Sequence, residues 1–119
     1  MRILRYEKGK SFAPHYDGSY QRKNGMMERS FLSVMIYLNS GGHWMNSSYE
    51  GGSTMFLSYY SLGFTEYVPK SGSILVFDHE LLHEGARLKE GVKYAIRTDV
   101  MYRHQGSTST SDLLLALMS

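Results

Sequence analysis

Ser30-Phe31-Leu32-Ser33-Val34-Met35-Ile36-Tyr37-Leu38-Asn39 is the stretch on which the fold turns. It holds β-branched and aromatic residues throughout and no glycine or proline, so a strand is expected over 30–39. Side chains alternate between the two faces of a strand. One face carries Phe31, Ser33, Met35, Tyr37 and Asn39, and the other carries Leu32, Val34, Ile36 and Leu38. A strand half in water would alternate apolar with polar residues. This one is aliphatic on one face and mixed on the other.

Working outward, Val92–Tyr102 is the other long strand. One of its faces carries Lys93, Ala95, Arg97 and Asp99, and the other carries Tyr94, Ile96, Thr98 and Val100. Two cations and an acid on one face of a sheet need a reason. Shorter extended pieces are read at Arg2–Lys8, Phe12–Asp17, Gly52–Leu57, Phe64–Val68, Ser73–Asp78 and His83–Leu88. Pro69-Lys70-Ser71-Gly72 marks a turn, and Gly18–Arg29 and Ser40–Glu50 read as loops. The tail at 107–111 is rich in Ser and Thr, and Asp112–Met118 suits a short helix. About eight short strands at close spacing, with no long helix between them, describe an all-β sandwich or barrel.

The chain's 119 residues suffice for one domain, with 42% hydrophobic and 20% charged residues; this is a folding composition. The domain is expected over 1–105, with a tail at 106–119. The net charge of +2 comes without a basic run, so neither a nucleic-acid partner nor a membrane surface is expected. Cysteine is absent, which excludes disulfides, thiolate metal sites and thiol catalysis. No apolar run is long enough to span a bilayer. The first residues lack the core of a signal peptide, so a cytoplasmic location is the expectation.

His15-Tyr16-Asp17 is an H-x-D triplet. In a strand its imidazole and carboxylate point to the same side and can converge on one ion. Two histidines and one carboxylate on one side of an iron leave the opposite positions open, the arrangement of non-haem Fe(II) oxygenases. His79 and His83 both follow a buried-looking strand and compete for the third place. His43 and His104 read as ordinary loop residues.

Several ordered pieces resemble the Fe(II)/2-oxoglutarate-dependent dioxygenases, in particular their prolyl 4-hydroxylase-like branch. They are Leu4-Arg5-Tyr6-x-x-Gly9-x-x-Phe12-x-x-His15-x-Asp17, Ile36-Tyr37-Leu38-Asn39, Gly51-Gly52-x-Thr54-x-Phe56, Val68-Pro69-Lys70-x-Gly72-x-x-Leu75-x-Phe77, and His83-Glu84-Gly85 followed by Gly91-x-Lys93-Tyr94. The resemblance runs from Leu4 to Tyr102 and implies a double-stranded β-helix, or jelly roll. It implies His15, Asp17 and His83 as catalytic iron ligands, with His83 preferred to His79 because Lys93 follows it by ten positions. It implies Lys93 as the cation that pairs with the far carboxylate of 2-oxoglutarate, with Tyr37 as a hydroxyl helper and Tyr6 lining the same pocket. Arg97 shares the face of Lys93, about 13 Å further along at strand rise. It is either the anchor instead or the partner of Asp99.

The implied reaction is hydroxylation of an unactivated C–H, with a prolyl residue of a peptide as one candidate substrate. It consumes O₂ and 2-oxoglutarate at Fe(II), releases succinate and CO₂, and can draw on ascorbate as a reductant. A small-molecule substrate stays open, as does a truncated or inactive jelly roll that only binds a metal or ligand. Members of the family carry helices before the first core strand, and this sequence starts at the strand, so a fragment or minimal form is expected. In a jelly roll the mixed face of 30–39 looks into the pocket, and Leu32, Val34, Ile36 and Leu38 look outward. An aliphatic patch of that size predicts self-association or a partner.

Overall fold

The computed structural model describes residues 1–22, 28–42, 47–58 and 63–103. These form ten strands: β1 Arg2–Tyr6, β2 Phe12–His15, β3 Glu28–Tyr37, β4 Tyr49–Gly51, β5 Thr54–Leu57, β6 Phe64–Tyr67, β7 Ile74–Asp78, β8 His83–Gly85, β9 Leu88–Gly91 and β10 Lys93–Arg103. One four-stranded sheet has the order β1-β10-β3-β7, a second has the order β2-β8-β5-β6, and β4 and β9 form a two-stranded ribbon. All pairings are antiparallel. This is the jelly roll expected from the sequence. Among the described residues there is no helix, hence none long and apolar enough to cross a membrane. The expected helix at 112–118, and His43 and His104, lie outside the described residues.

The two long strands occupy the centre of the first sheet, as their apolar content dictates. Their register places Ala95 opposite Tyr37, Arg97 opposite Met35 and Asp99 opposite Ser33. Lys93, Ala95, Arg97 and Asp99 therefore share the inward face with Ser33, Met35 and Tyr37. The outward face carries a row across four strands, Ile3–Ile96–Ile36–Ile74, and beside it Val34 and Val76. Ile3 is 73% exposed and Ile74 61%, and Leu38 is also exposed, so the outward face stays apolar and open.

Two features differ from the sequence reading. Tyr49–Gly51 lies in a stretch read as loop, yet it pairs with β9. It lacks β-branched residues, and its extended form comes from long-range pairing. The piece read as one strand over His83–Leu88 is two strands, β8 and β9, which belong to different sheets. Its backbone turns a corner at Ala86-Arg87, where Ala86 N–H donates to Ser53 O at 2.9 Å. The Pro69–Gly72 turn forms as read, with Gly72 at φ 82°, a left-handed conformation that glycine adopts without steric cost.

The buried interior is narrow and unusually polar. Tyr37, Phe77, Leu88 and Ala95 are joined there by Ser30, Ser33, His79, His83 and Lys93. Buried polar groups need partners, and where these groups find theirs defines the site.

Candidate active site

β2 and β8 are neighbours, and their register sets His15 directly opposite His83. Their rings lie 4.4 Å apart between centroids. Asp17, two residues beyond His15, brings Oδ1 to 3.5 Å from His15 Nε2 and 3.6 Å from His83 Nε2. One ligand atom from each of His15, Asp17 and His83 lies within 4.8 Å of the other two.

The tautomers suit a metal. Each imidazole has its Nδ1 beside a backbone carbonyl, Ala13 O at 2.7 Å for His15 and Leu81 O at 2.9 Å for His83. With Nδ1–H donating there, each Nε2 keeps its lone pair facing Asp17. Asp17 itself is 5% exposed at its side chain. Its Oδ2 accepts a hydrogen bond from the Ser33 hydroxyl, and Arg97 Nη2 stands 3.4 Å away. Oδ1 is thus left to face the two imidazoles. Burial pushes the pKa of His83 down, so its ring stays neutral and able to ligate near neutral pH. Phe77 meets the His83 ring edge-on at 4.7 Å. Two imidazoles that each present Nε2 and one carboxylate, with orientations tied down, fit a ferrous ion.

Lys93, Arg97, Leu4, Tyr6, Phe12 and Phe77 line the same cavity as the triad, about 130 Å³ in volume. Lys93 is 6% exposed. Its ammonium donates to Gly52 O at 2.6 Å and lies 5.2 Å from the Tyr6 ring centroid and 5.4 Å from that of Tyr37, within cation–π range. No carboxylate among the described residues pairs with it. Burial lowers its pKa from 10.5 to about 8. Gly52 has φ 70°, and a Cβ there would press on Leu88 and on the Lys93 stem. The Gly51-Gly52-x-Thr54 string therefore has a local purpose: a bare backbone turn offers a carbonyl to Lys93, and Thr54 follows it. The Tyr37 hydroxyl is hydrogen-bonded to Thr54 Oγ1 at 2.8 Å, and burial raises its pKa to about 12.

Six of the seven residues singled out from the sequence line one cavity, and the seventh, Tyr37, is buried behind it against Lys93. His15, Asp17 and His83 cluster. Lys93 sits between Tyr6 and Tyr37. Arg97 pairs with Asp17 and, at 3.6 Å, with Asp99. His79 is not in the triad: it is buried, with Nε2 3.4 Å from Asp99 Oδ1. Two contributors escaped the sequence reading. Ser33 lay on the correct face but had no role assigned, and a backbone carbonyl such as Gly52 O leaves no mark in residue identity.

An all-β jelly roll with a His–Asp–His cluster and a buried cation in one cavity defines a class, a scaffold able to hold a metal ion beside an anionic ligand. The chain matches the 2OG-Fe(II) oxygenase superfamily over residues 1–98, and it belongs to that family. Ferrous iron and 2-oxoglutarate are the cofactors the family's name states. The chain is 29% identical over 89 residues to the PKHD-type hydroxylase tll1907 of Thermosynechococcus vestitus, covering 75% of this chain and 37% of that protein. It therefore spans little more than a third of that relative's length. Among solved structures it resembles a 2OG-Fe(II) oxygenase family oxidoreductase from Burkholderia pseudomallei. There the TM-score is 0.62 at 18% identity, over 88% of this chain and 44% of the other. It also resembles the viral collagen prolyl hydroxylase of Paramecium Bursaria Chlorella virus-1, solved with 2OG. There the TM-score is 0.60 at 23% identity, over 87% of this chain and 57% of the other.

Proposed function

We propose that this protein is an Fe(II)/2-oxoglutarate-dependent hydroxylase whose iron ligands are His15, Asp17 and His83. The observation that carries the reading is the pairing, in one cavity, of that triad with a buried lysine that lacks an acid partner among the described residues. When bound, iron with 2-oxoglutarate and O₂ supplies the oxidising power: R–H, 2-oxoglutarate and O₂ become R–OH, succinate and CO₂. The chain's own residues do the rest. His15 and His83 offer their Nε2 atoms, and Asp17 offers one oxygen. Lys93 holds the far carboxylate of the cosubstrate by charge, because a dicarboxylate enters a buried site only against a cation. Tyr6 and Tyr37 flank that ammonium. Leu4, Phe12 and Phe77 keep the cavity largely apolar, which strengthens each charge pair inside it.

Arg97 serves this reading as a partner of Asp17 and Asp99, since its charge is already met by two carboxylates. The substrate is a peptide or a small molecule. A prolyl residue is the candidate favoured by the likeness to a collagen prolyl hydroxylase.

The test is succinate release from 2-oxoglutarate with Fe(II) and ascorbate, with Asp17→Ala as control, followed by mass spectrometry of candidate peptides for one added oxygen atom. Succinate from the unaltered chain but not from Asp17→Ala is expected. Binding of both cofactors without any succinate would replace the hydroxylase by a binding module of the same fold.

A further inference from the structure

Behind the Asp17 oxygen that faces the two imidazoles lies a line of polar groups that ligation alone does not require. Arg97 Nη2 is 3.4 Å from Asp17 Oδ2 and 3.6 Å from Asp99 Oδ1. Asp99 Oδ1 is in turn 3.4 Å from His79 Nε2. The register explains the placement: Arg97 and Asp99 share the inward face of β10, with Asp99 opposite Ser33, and His79 directly follows the end of β7. These separations exceed the roughly 2.7–2.9 Å of charge-assisted hydrogen bonds. Arg97 Nε, Asp99 Oδ1 and both His79 ring nitrogens are buried without a hydrogen bond. Arg97 therefore acts on Asp17 and Asp99 mainly through charge, in surroundings where charge is poorly screened.

We propose that Arg97 and Asp99 are positioning residues that set how tightly Asp17 binds a divalent metal. Arg97 opposes the metal at the shared carboxylate, and Asp99 draws Arg97 away from it. The inference rests on the metal reading of the triad. A guanidinium beside Asp17 satisfies the carboxylate when no metal is bound and repels a divalent cation when one arrives. Asp99 takes part of that guanidinium's charge and so lessens the repulsion. Neutralising Asp99 leaves Arg97 to Asp17 alone and weakens metal binding. Neutralising Arg97 strengthens it, and Asp99 then has little left to act through. A residue needed only for structure would weaken binding in every variant.

The experiment is Co²⁺ titration of the full chain, followed by the visible absorption of the bound ion, with thermal melting of each variant alongside. Asp99→Asn is expected to weaken Co²⁺ binding by about tenfold, the low end for outer-shell partners of metal ligands. Arg97→Met is expected to bind more tightly than the unaltered chain. In the Arg97→Met background, Asp99→Asn should change affinity by less than about twofold, the signature of coupled neighbours. Unchanged affinity in Asp99→Asn, weaker binding in Arg97→Met, or an equal Asp99→Asn effect in both backgrounds overturns the inference and leaves the metal reading intact. Should Asp99→Asn fail to fold, the sign of the Arg97→Met effect decides. An unaltered chain that binds no Co²⁺, or binds it equally well as His83→Ala, overturns the metal reading and this inference together.

Discussion

Lys93 and Arg97 stand four residues apart on the same face of β10, and their electrostatic circumstances are opposite. Arg97 has two carboxylates within 3.6 Å. Lys93 is the more deeply buried, yet it has a carbonyl and two aromatic rings for company and no acid among the described residues. Removing a charge from water costs several kcal/mol unless a counter-charge is supplied. A cation already matched from within the chain is therefore part of the scaffold, whereas a buried cation without an acid is poised for an anion from outside. Position on the strand does not separate these roles; the carboxylates brought in by neighbouring elements do.

The comparison can be broken most directly at the metal. His83→Ala should abolish Co²⁺ or Fe²⁺ binding, with at least a hundredfold rise in dissociation constant, while His79→Ala keeps binding within about tenfold. Calorimetric titration reads both, and the reverse ranking would move the third ligand to His79. At the cosubstrate, Lys93→Ala should weaken 2-oxoglutarate binding by about a hundredfold, the loss of one buried charge-assisted contact, and leave iron affinity nearly unchanged. If Arg97→Ala produced that effect and Lys93→Ala did not, the two cations would exchange roles.

A smaller effect follows from the pKa of Lys93, lowered from 10.5 to about 8 by burial. Only the ammonium form pairs with a carboxylate. Affinity for 2-oxoglutarate should therefore be level below that pH and fall by up to about tenfold per pH unit above it. A flat profile from pH 7 to pH 10 would remove Lys93 from the anchor position.

The same lowering has a stability consequence. The folded-state pKa lies below the unfolded one, so stability is greatest above about 10.5 and is lost as pH falls through about 8. At pH 7 the unliganded chain carries the full cost of a buried ammonium, about 3 kcal/mol. Lys93→Met, which keeps the bulk and removes the charge, should raise the melting temperature at pH 7 and no longer respond to 2-oxoglutarate. A lower melting temperature would mean that the carbonyl and the rings already satisfy the ammonium. Least of all should the site feel the outward face: Ile36→Ser with Val76→Ser should leave 2-oxoglutarate affinity unchanged and reduce self-association in sedimentation. An unaltered chain that stays monomeric and binds no hydrophobic dye would remove the expectation of self-association.

Much of this arrangement was legible in the residues. β3 announced itself by an apolar run without glycine or proline, and β10 by Tyr94, Ile96, Thr98 and Val100 alternating with Lys93, Ala95, Arg97 and Asp99. Period-two alternation sorted Lys93, Arg97 and Ser33 onto one face and Val34 and Ile36 onto the other, as the structure has them. Other parts were silent for identifiable reasons. Tyr49–Gly51 has one strand-former, Tyr49, beside Glu50 and Gly51, and is extended because β9 lies beside it. The β8–β9 corner is invisible because His83–Leu88 contains no turn signal strong enough to divide it. Asp17's second oxygen finds Ser33 through a contact between residues sixteen positions apart, which no local pattern reports.

What the sequence determined by itself is what lies within a few residues along the chain: strand periodicity, the two faces of each long strand, the H-x-D triplet and the Pro69–Gly72 turn. These rest on backbone geometry, which repeats every two residues and is set by local sterics. Tertiary structure decided between rivals that the residues themselves left open, where only the resemblance had preferred His83 to His79. His83 rather than His79 meets Asp17 because the register of β2 with β8 sets it opposite His15. Arg97 rather than Lys93 acquires carboxylates because Asp17 and Asp99 converge at its end of β10. Both outcomes depend on distances between strands far apart in sequence, and charge and coordination act across space rather than along the chain.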